Sequence, residues 1–200
     1  GRLVGLLNSD RPEVMVAAAW GLRRLAVPDT LPVVLEYVRR RLGQVRGAAV
    51  SRVTPQEGVE RQLVQLAQFF GQSGYRPADR DLRGMTQRPV GTEVRAAAFW
   101  SLGLLHAGEP VPELVTEFEG RVKDTRYEDP RVRTMAAIAL GRMRAKDALA
   151  TLRQYAGKEP SLDPANNACA WAVAQITGEP PPPRRTIEVP DRGWFLVPLK

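Results

Sequence analysis

Apolar and small residues recur along this chain with the period of an α-helix. Counted from a starting residue, they fall at positions +3, +4, +7, +8 and +11, which places them on one side of a helix. Five segments follow this pattern, and they begin at Val14, Val59, Val94, Val132 and Ala165. The segment from Val59 fits least well because Gln62 interrupts its stripe. Segments that recur every 33 to 45 residues predict an array of helical repeats.

A second apolar stripe follows each of the first four segments. Clear stripes lie at 31–42, 114–122 and 148–155; a short helix at 77–85 would complete the remaining pair, although residues 75–91 are poor in apolar residues and a partial loop is the alternative. Each repeat is therefore predicted to be a pair of helices. A proline directly follows both Thr54 and Asp129. We expect helices to begin there, because an N-cap oxygen and a proline in the first turn both favour a helix start.

The first helix of each pair is also apolar or small on its second side. Trp20, Trp100 and Trp171 lie there at matching repeat positions. A helix that is apolar nearly all round is buried on several sides, as in a stack of repeats. The three tryptophans are therefore predicted to pack in the core between repeats, and a ligand-stacking set is the less favoured interpretation.

Residues 129–141 run DPRVRTMAAIALG, and residues 93–103 have a similar sequence. These segments resemble the HEAT-like repeat, of the type also found in phycobilisome bilin lyases. The resemblance extends over about residues 1–178. It implies an all-α fold, a right-handed α-α superhelix of about five helix pairs, whose second helices line a concave surface. It also implies that the usual role is to hold other proteins, as a scaffold.

The last residues depart from the repeat pattern. Gly178 is predicted to end the last helix, and residues 179–200 form a separate tail. Four consecutive prolines at 180–183 predict an extended polyproline II segment. The β-prone segments 186–189 and 194–197 predict either a small hairpin or an extended strap that covers the last repeat.

Composition narrows the class of protein. The chain has 200 residues, of which 44% are hydrophobic and 26% charged, as in ordered globular proteins. Its longest apolar runs are shorter than the roughly 18 residues that a membrane span needs. Cys169 is the sole cysteine, so it forms no internal disulfide and no thiolate metal cluster. Cysteine content therefore does not identify the cellular compartment of the protein. The chain begins at Gly1 within an apparent helix, so we expect a segment of a longer protein.

The sequence offers no catalytic constellation, no metal site and no cofactor site. The repeat hydroxylases that resemble this scaffold use several His-Glu pairs to hold two irons, and this chain has one histidine, His106. The number of ligands therefore excludes that activity. His106 follows the end of a predicted helix, where interaction with the helix dipole explains it.

Charged residues on the second helices are the best candidates for binding. The net charge is +7, and residues 1–52 hold nine Lys/Arg against four Asp/Glu. The candidate partner-binding residues are Glu36, Arg39, Arg40, Arg41, Glu113 and Glu117. A surface that is basic at one end and acidic further along suits a protein, or another domain of the same chain, better than DNA. The alternative is a nucleic-acid-binding solenoid, similar to HEAT-like DNA glycosylases, that uses the arginines at 39–41.

Two further arginines share one repeat position. Arg95 and Arg133 each lie just inside the start of a first helix. We expect them to pair with acidic residues of neighbouring loops, such as Asp129, at solvent-exposed positions. Such exposed pairs stabilise a protein little.

Overall fold

The computed structural model describes residues 1–50, 58–157 and 163–180. Within these ranges the chain is all-α, with ten helices and no strand, which confirms the predicted fold class. In chain order the helices are α1 (Arg2–Leu6), α2 (Pro12–Leu25), α3 (Leu31–Val50), α4 (Val59–Gln72), α5 (Asp79–Met85), α6 (Thr92–Leu105), α7 (Pro112–Lys123), α8 (Pro130–Met143), α9 (Leu149–Ala156) and α10 (Pro164–Thr177). No helix in these ranges has both the length and the apolar character that a membrane crossing requires.

The helices alternate as the two sets of stripes predict. The first helices of the repeats are α2, α4, α6, α8 and α10, and the second helices are α3, α5, α7 and α9. Each first helix from α6 onward packs on the first and the second helix of the preceding repeat: α6 on α4 and α5, α8 on α6 and α7, α10 on α8 and α9. This regular stacking makes the chain a short helical solenoid.

Local sequence explains where several helices begin and end. The Asp129 carboxylate accepts a hydrogen bond from the Arg131 backbone N–H at 2.8 Å, which confirms the predicted cap of α8. Asp163 caps α10 in the same way, and a proline follows it. Gly178 ends α10 with a φ of +79°, as predicted. The predicted cap at Thr54 and the tail after Pro180 lie outside the described residues.

Successive first helices approach each other closely at glycines. A Cβ added at Gly71 would lie 2.7 Å from the Ser101 Cα, and one at Gly103 would lie 2.7 Å from the Ala139 Cα. The same construction at Gly141 gives 2.8 Å to the Cα of the facing alanine in α10. No real Cβ tolerates such a distance, so glycine is what lets the helices stack this tightly.

These contacts also correct the repeat boundary in α4. Gly71 makes the same close contact as Gly103 and Gly141, which lie nine residues after the repeat starts at Val94 and Val132. The same offset places the start of this repeat at Gln62 rather than at Val59. Gln62 is fully buried, and its amide donates to the Leu7 carbonyl at 3.0 Å. Gln62, which interrupts the sequence pattern, thus occupies the position that Val94 and Val132 occupy in the next two repeats, with a buried polar side chain in place of valine.

The tryptophans are less buried than predicted. Trp20 is 52% exposed, while Trp100 and Trp171 are half-buried. The core prediction is therefore wrong for Trp20. In α2 and α6 the neighbouring positions Ala19 and Phe99 point into the core, so the tryptophans, one residue further along the helix, turn towards the outer side of the first-helix layer.

Candidate interaction surface

The second helices present one buried and one exposed side. Their buried side is mainly apolar and faces the first helices; on α3 it includes Leu31, Val34, Leu35, Val38 and Leu42. The opposite side carries charged residues. We call this side the second-helix surface; its exposed members include Glu36, Arg39, Arg40, Arg80, Glu113 and Arg153.

Arg39 links α3 to α5. Its Nε and Nη2 both lie 3.1 Å from the Asp81 Oδ2, and its Nη1 pairs with Glu36 one turn earlier. The hydrogen bond to Asp81 and the charge of that carboxylate raise the pKa of Arg39. Arg39 and Glu36 are therefore exposed but already paired within the protein.

Arg41 points towards the interior. Its Nε donates to the Tyr37 hydroxyl at 2.7 Å, and its guanidinium carbon lies 5.4 Å from the centre of the Tyr37 ring. That hydroxyl lies 2.6 Å from the Leu7 carbonyl and 2.8 Å from the Gln62 amide oxygen. Arg41 thus completes a polar cluster that joins α3 and α4 to the end of α1, and it is poorly placed to meet a partner.

The two candidate glutamates of α7, Glu113 and Glu117, differ in whether they are already bonded within the protein. Glu113 is exposed and makes no hydrogen bond or ion pair with a described residue. The Glu117 Oε1 lies 2.7 Å from the Thr86 hydroxyl and accepts a 2.7 Å bond from the Gln87 amide. Glu117 therefore ties α7 to the end of α5.

A third link joins α7 to α9. Glu119 accepts a hydrogen bond from the Thr151 hydroxyl and pairs with Lys123 at 2.7 Å. The bonds from Lys123 and Thr151 outweigh partial burial and lower the pKa of Glu119. Links of this kind now join all four second helices in succession, which stiffens the surface they form.

These links change the charge that the surface offers. Most of its carboxylates are paired within the protein. Among the described residues, Arg40, Arg80 and Arg153 form no hydrogen bond or ion pair, and Glu113 is the acidic residue of the second helices in that state. The change of sign predicted along this surface is therefore weaker than the sequence suggests, and the unpaired charge is mainly positive.

His106 has a structural partner. It directly follows α6, as predicted, and is buried. Its Nε2 lies 2.6 Å from the Asp79 Oδ1, while the other oxygen of Asp79 accepts from the Arg83 Nε at 2.7 Å. The contact with Asp79 joins α6 to the start of α5, which adds a specific partner to the predicted dipole interaction. Within the described ranges no three His, Cys, Asp or Glu side chains are placed to hold a metal ion.

The paired arginines of the first helices are buried, which corrects the prediction of exposed pairs. The Arg95 Nη1 lies 2.7 Å from Oε2 of Glu128, and the two side chains are 5% and 0% exposed. Burial alone raises the pKa of Glu128, but hydrogen bonds from Arg95 and the Asp129 backbone N–H reverse this, so the pKa is lowered. The sequence pattern pointed to Asp129 as the partner, because Asp129 is the N-cap of α8, and it gave no sign that the adjacent Glu128 pairs with Arg95.

Arg133 repeats this arrangement in the next repeat. Its Nε donates to the Val122 carbonyl at 3.2 Å, and its Nη1 lies 3.7 Å from an Asp163 oxygen. The arginine of each link is thus buried, but Asp163 is 37% exposed, unlike Glu128.

Cys169 is also an interior residue. Burial raises the pKa of its thiol to about 11. The thiol is therefore protonated at neutral pH, and a protonated thiol is a poor nucleophile.

Stacked helix pairs joined by tight glycine contacts and buried inter-repeat links define an α-solenoid repeat protein. Residues 87–174, from just before α6 to near the end of α10, match the family model of HEAT repeats, which supports the predicted resemblance to HEAT-like repeats. No curated protein matches the chain.

Proposed function

We propose that this chain is a non-catalytic interaction module that binds another protein, or another domain of the same chain, through its second-helix surface. HEAT repeats generally mediate protein interactions, which supports this class of function. The observation that carries the choice of surface is the set of links between successive second helices, together with the charges that those links leave unpaired.

The unpaired residues are the ones we assign to binding. Arg40 and Arg80 follow and precede the linked residues Arg39 and Asp81, so the contact between α3 and α5 brings them to one part of the surface. A rigid surface loses little conformational entropy on binding, which favours affinity. Glu113 adds an acidic contact further along.

The proposal is tested by reversing these charges. The double variant Arg40→Glu/Arg80→Glu leaves every described ion pair intact, so it should fold normally. We expect proteins captured by the wild-type chain to associate with this variant roughly tenfold more slowly or worse, since charge complementarity acts mainly on the association rate. Arg126→Glu, an exposed arginine outside the second helices, is the matched control. Equal capture by all three chains would contradict the assignment of the surface.

The positive surplus around α3 and α5 favours nucleic acid as the second candidate. Anisotropy of labelled duplex DNA and structured RNA, measured at low salt and at about 0.15 M salt, separates the two. Submicromolar binding that falls steeply with salt and is lost in Arg40→Glu/Arg80→Glu would support nucleic-acid binding. No binding at about 0.15 M salt would leave the protein partner as the candidate.

A further inference from the structure

The charge on α3 and α5 is unevenly compensated. Together these two helices carry six arginines against three carboxylates. Each of the three carboxylates already pairs with an arginine of the same two helices. Three exposed arginines of these helices have no carboxylate partner among the described residues, and they are Arg40, Arg46 and Arg80. Carboxylates supplied by a partner would provide the missing counter-charge.

Glycines on the same surface leave the helix backbone bare. Gly43 and Gly47 of α3 and Gly120 of α7 are exposed, and a Cβ added at any of them meets no described atom within 4 Å. Each lies inside a helix, where glycine is less favourable than alanine. No contact within the described residues requires glycine at these positions, and a bare backbone lets another molecule approach closely.

Other glycines of this protein show what such a bare backbone receives. At the glycines shared by α4, α6 and α8, the next first helix packs so closely that an added Cβ would lie 2.7 or 2.8 Å from one of its Cα atoms. At Gly84 of α5, an added Cβ would lie 2.7 Å from the Arg46 Nη2. Gly43 and Gly47 offer the same kind of seat, and no described residue fills it.

The spacing of these residues on α3 suits a second helix. Arg40, Gly43 and Gly47 are three and four residues apart, so they lie on one side of α3. The two glycines interrupt the ridge of side chains over one turn. A gap of this kind is the groove into which the side chains of another helix pack. We call Gly43, Gly47 and the flanking Arg40 and Arg80 the α3 groove.

The neighbouring helix α7 limits what the groove can hold. It carries three glutamates against Arg121 and Lys123, so its net charge is negative. That charge repels a phosphate backbone that continues along the second helices. A short acidic segment that stays over α3 and α5 avoids this repulsion.

We propose that the partner of the second-helix surface contributes an acidic α-helix, which packs across Gly43 and Gly47 and pairs its carboxylates with Arg40 and Arg80. This inference rests on the proposed function of that surface. It adds the chemistry and the secondary structure of the occupant.

Designed peptides test this chemistry. The probe is a labelled helical peptide of about 15–20 residues, built from alanine and glutamate with the glutamates along one side. One control peptide has glutamine in place of glutamate, and a second has a central proline that breaks the helix. At about 0.15 M salt, anisotropy should show that the acidic helix binds at least about tenfold more tightly than either control. Equal binding of the glutamine peptide, or of the proline peptide, would overturn the proposal.

Glycine substitutions separate a binding role from a structural one. Gly43→Ala/Gly47→Ala should raise Tm by about 2–8 °C, because alanine favours the helix. The same variant should bind the acidic helix at least about tenfold more weakly, because the added methyl groups hold it away from α3. Gly120→Ala, the matched control on α7, should raise Tm and leave peptide binding unchanged. If Gly43→Ala/Gly47→Ala binds the peptide as tightly as the wild type, no helix packs on these glycines and the proposal is wrong.

The arginines provide the second set of variants. Arg40→Gln/Arg80→Gln should weaken binding of the acidic helix at least about tenfold, and Arg126→Gln should leave it unchanged. If charge reversal at Arg40 and Arg80 lowers capture of a partner but the acidic helix binds no better than its controls, the surface assignment stands and this inference alone fails. Duplex DNA that binds more tightly than the acidic helix, and loses affinity in Gly43→Ala/Gly47→Ala, would overturn it in favour of nucleic acid.

Discussion

At the scale of single residues, this protein has both buried and exposed ion pairs, and the two kinds contribute differently to its stability. Arg95 and Glu128 form a buried pair, whereas Arg131 pairs with Glu93 and Asp129 at the surface. Removing one member of a buried pair leaves the other charge without compensation in a poorly solvated site. Removing one member of an exposed pair costs little, because water and salt already screen it.

The first prediction compares two arginines on this basis. Arg95→Ala should lower the free energy of unfolding by about 3 kcal/mol, because Glu128 loses its closest partner. Arg131→Ala, the exposed control, should lower it by less than about 1 kcal/mol. Urea denaturation followed by circular dichroism measures both values. Similar losses in the two variants would show that burial of the Arg95 pair has no energetic weight.

The second prediction concerns pH. The folded-state pKa of Glu128 lies below its usual value of 4.5. A lowered pKa means that this carboxylate stabilises the protein above the unfolded-state pKa, and that the contribution is lost as pH falls through the folded-state pKa. Glu128→Gln should therefore show a flatter dependence of stability on pH below about pH 4.5 than the wild type does. Parallel curves for the two proteins would be inconsistent with a charged Glu128 in the fold.

At the scale of helices, small residues set the spacing of the solenoid. The glycines of α4, α6 and α8 each face the next first helix at a distance that excludes any Cβ. The apolar stripes bring these helices together, but the glycines decide how closely they approach and which residues face each other. The α4 register illustrates this, since Gly71 identified the equivalent positions that the stripe alone had misplaced.

The third prediction tests this role of glycine. Gly103→Ala should destabilise the protein by about 1–3 kcal/mol, because α6 and α8 must separate to admit the methyl group. Gly120→Ala in α7 is the matched control, since a Cβ there meets no atom within 4 Å. The control should raise stability by about 0.5–1 kcal/mol through helix propensity. If Gly103→Ala also raised stability, α6 and α8 would be able to move apart without cost, and the prediction would be wrong.

At the scale of the whole molecule, some apolar side chains at the ends of the described stack are open to solvent. Leu25 of α2 is 65% exposed, and α10 is the last helix described. Val173 and Ile176 on α10 are only half-buried, although the residues at these positions in α6, Leu102 and Leu105, are buried. A stack of repeats needs a cover at each end, because its terminal apolar residues otherwise face water.

The fourth prediction concerns the C-terminal end. We expect residues 181–200 to cover Val173 and Ile176, so a chain that ends at Pro180 should melt at a lower temperature, by about 2–4 °C for each kcal/mol lost. Replacing the apolar residues Trp194 and Phe195 by serine should produce most of the same decrease. An unchanged Tm after truncation would show that the tail is a spacer and not a cover.

The sequence by itself determined the all-α repeat fold, the first and second helices, and several helix ends. Helical periodicity is a local property, as are capping residues and glycine stops, so a single stretch of chain reveals them. The same reasoning located Arg39, Arg40 and Glu113 at exposed positions of the second helices. It excluded a multi-histidine metal site, because that requires only a count of ligands.

The tertiary structure alone decided which of these charges are available to a partner. Arg39 pairs with Asp81, Glu117 with Thr86 and Gln87, and the partners lie in a different repeat. Helical periodicity predicts the side of a helix on which a residue lies, but it does not predict which residue of another repeat that side chain contacts. Exposure along the stack was undetermined for the same reason: Leu25 and Leu105 fit one pattern, yet Leu25 is 65% exposed and Leu105 is 4% exposed, because different helices pack against them.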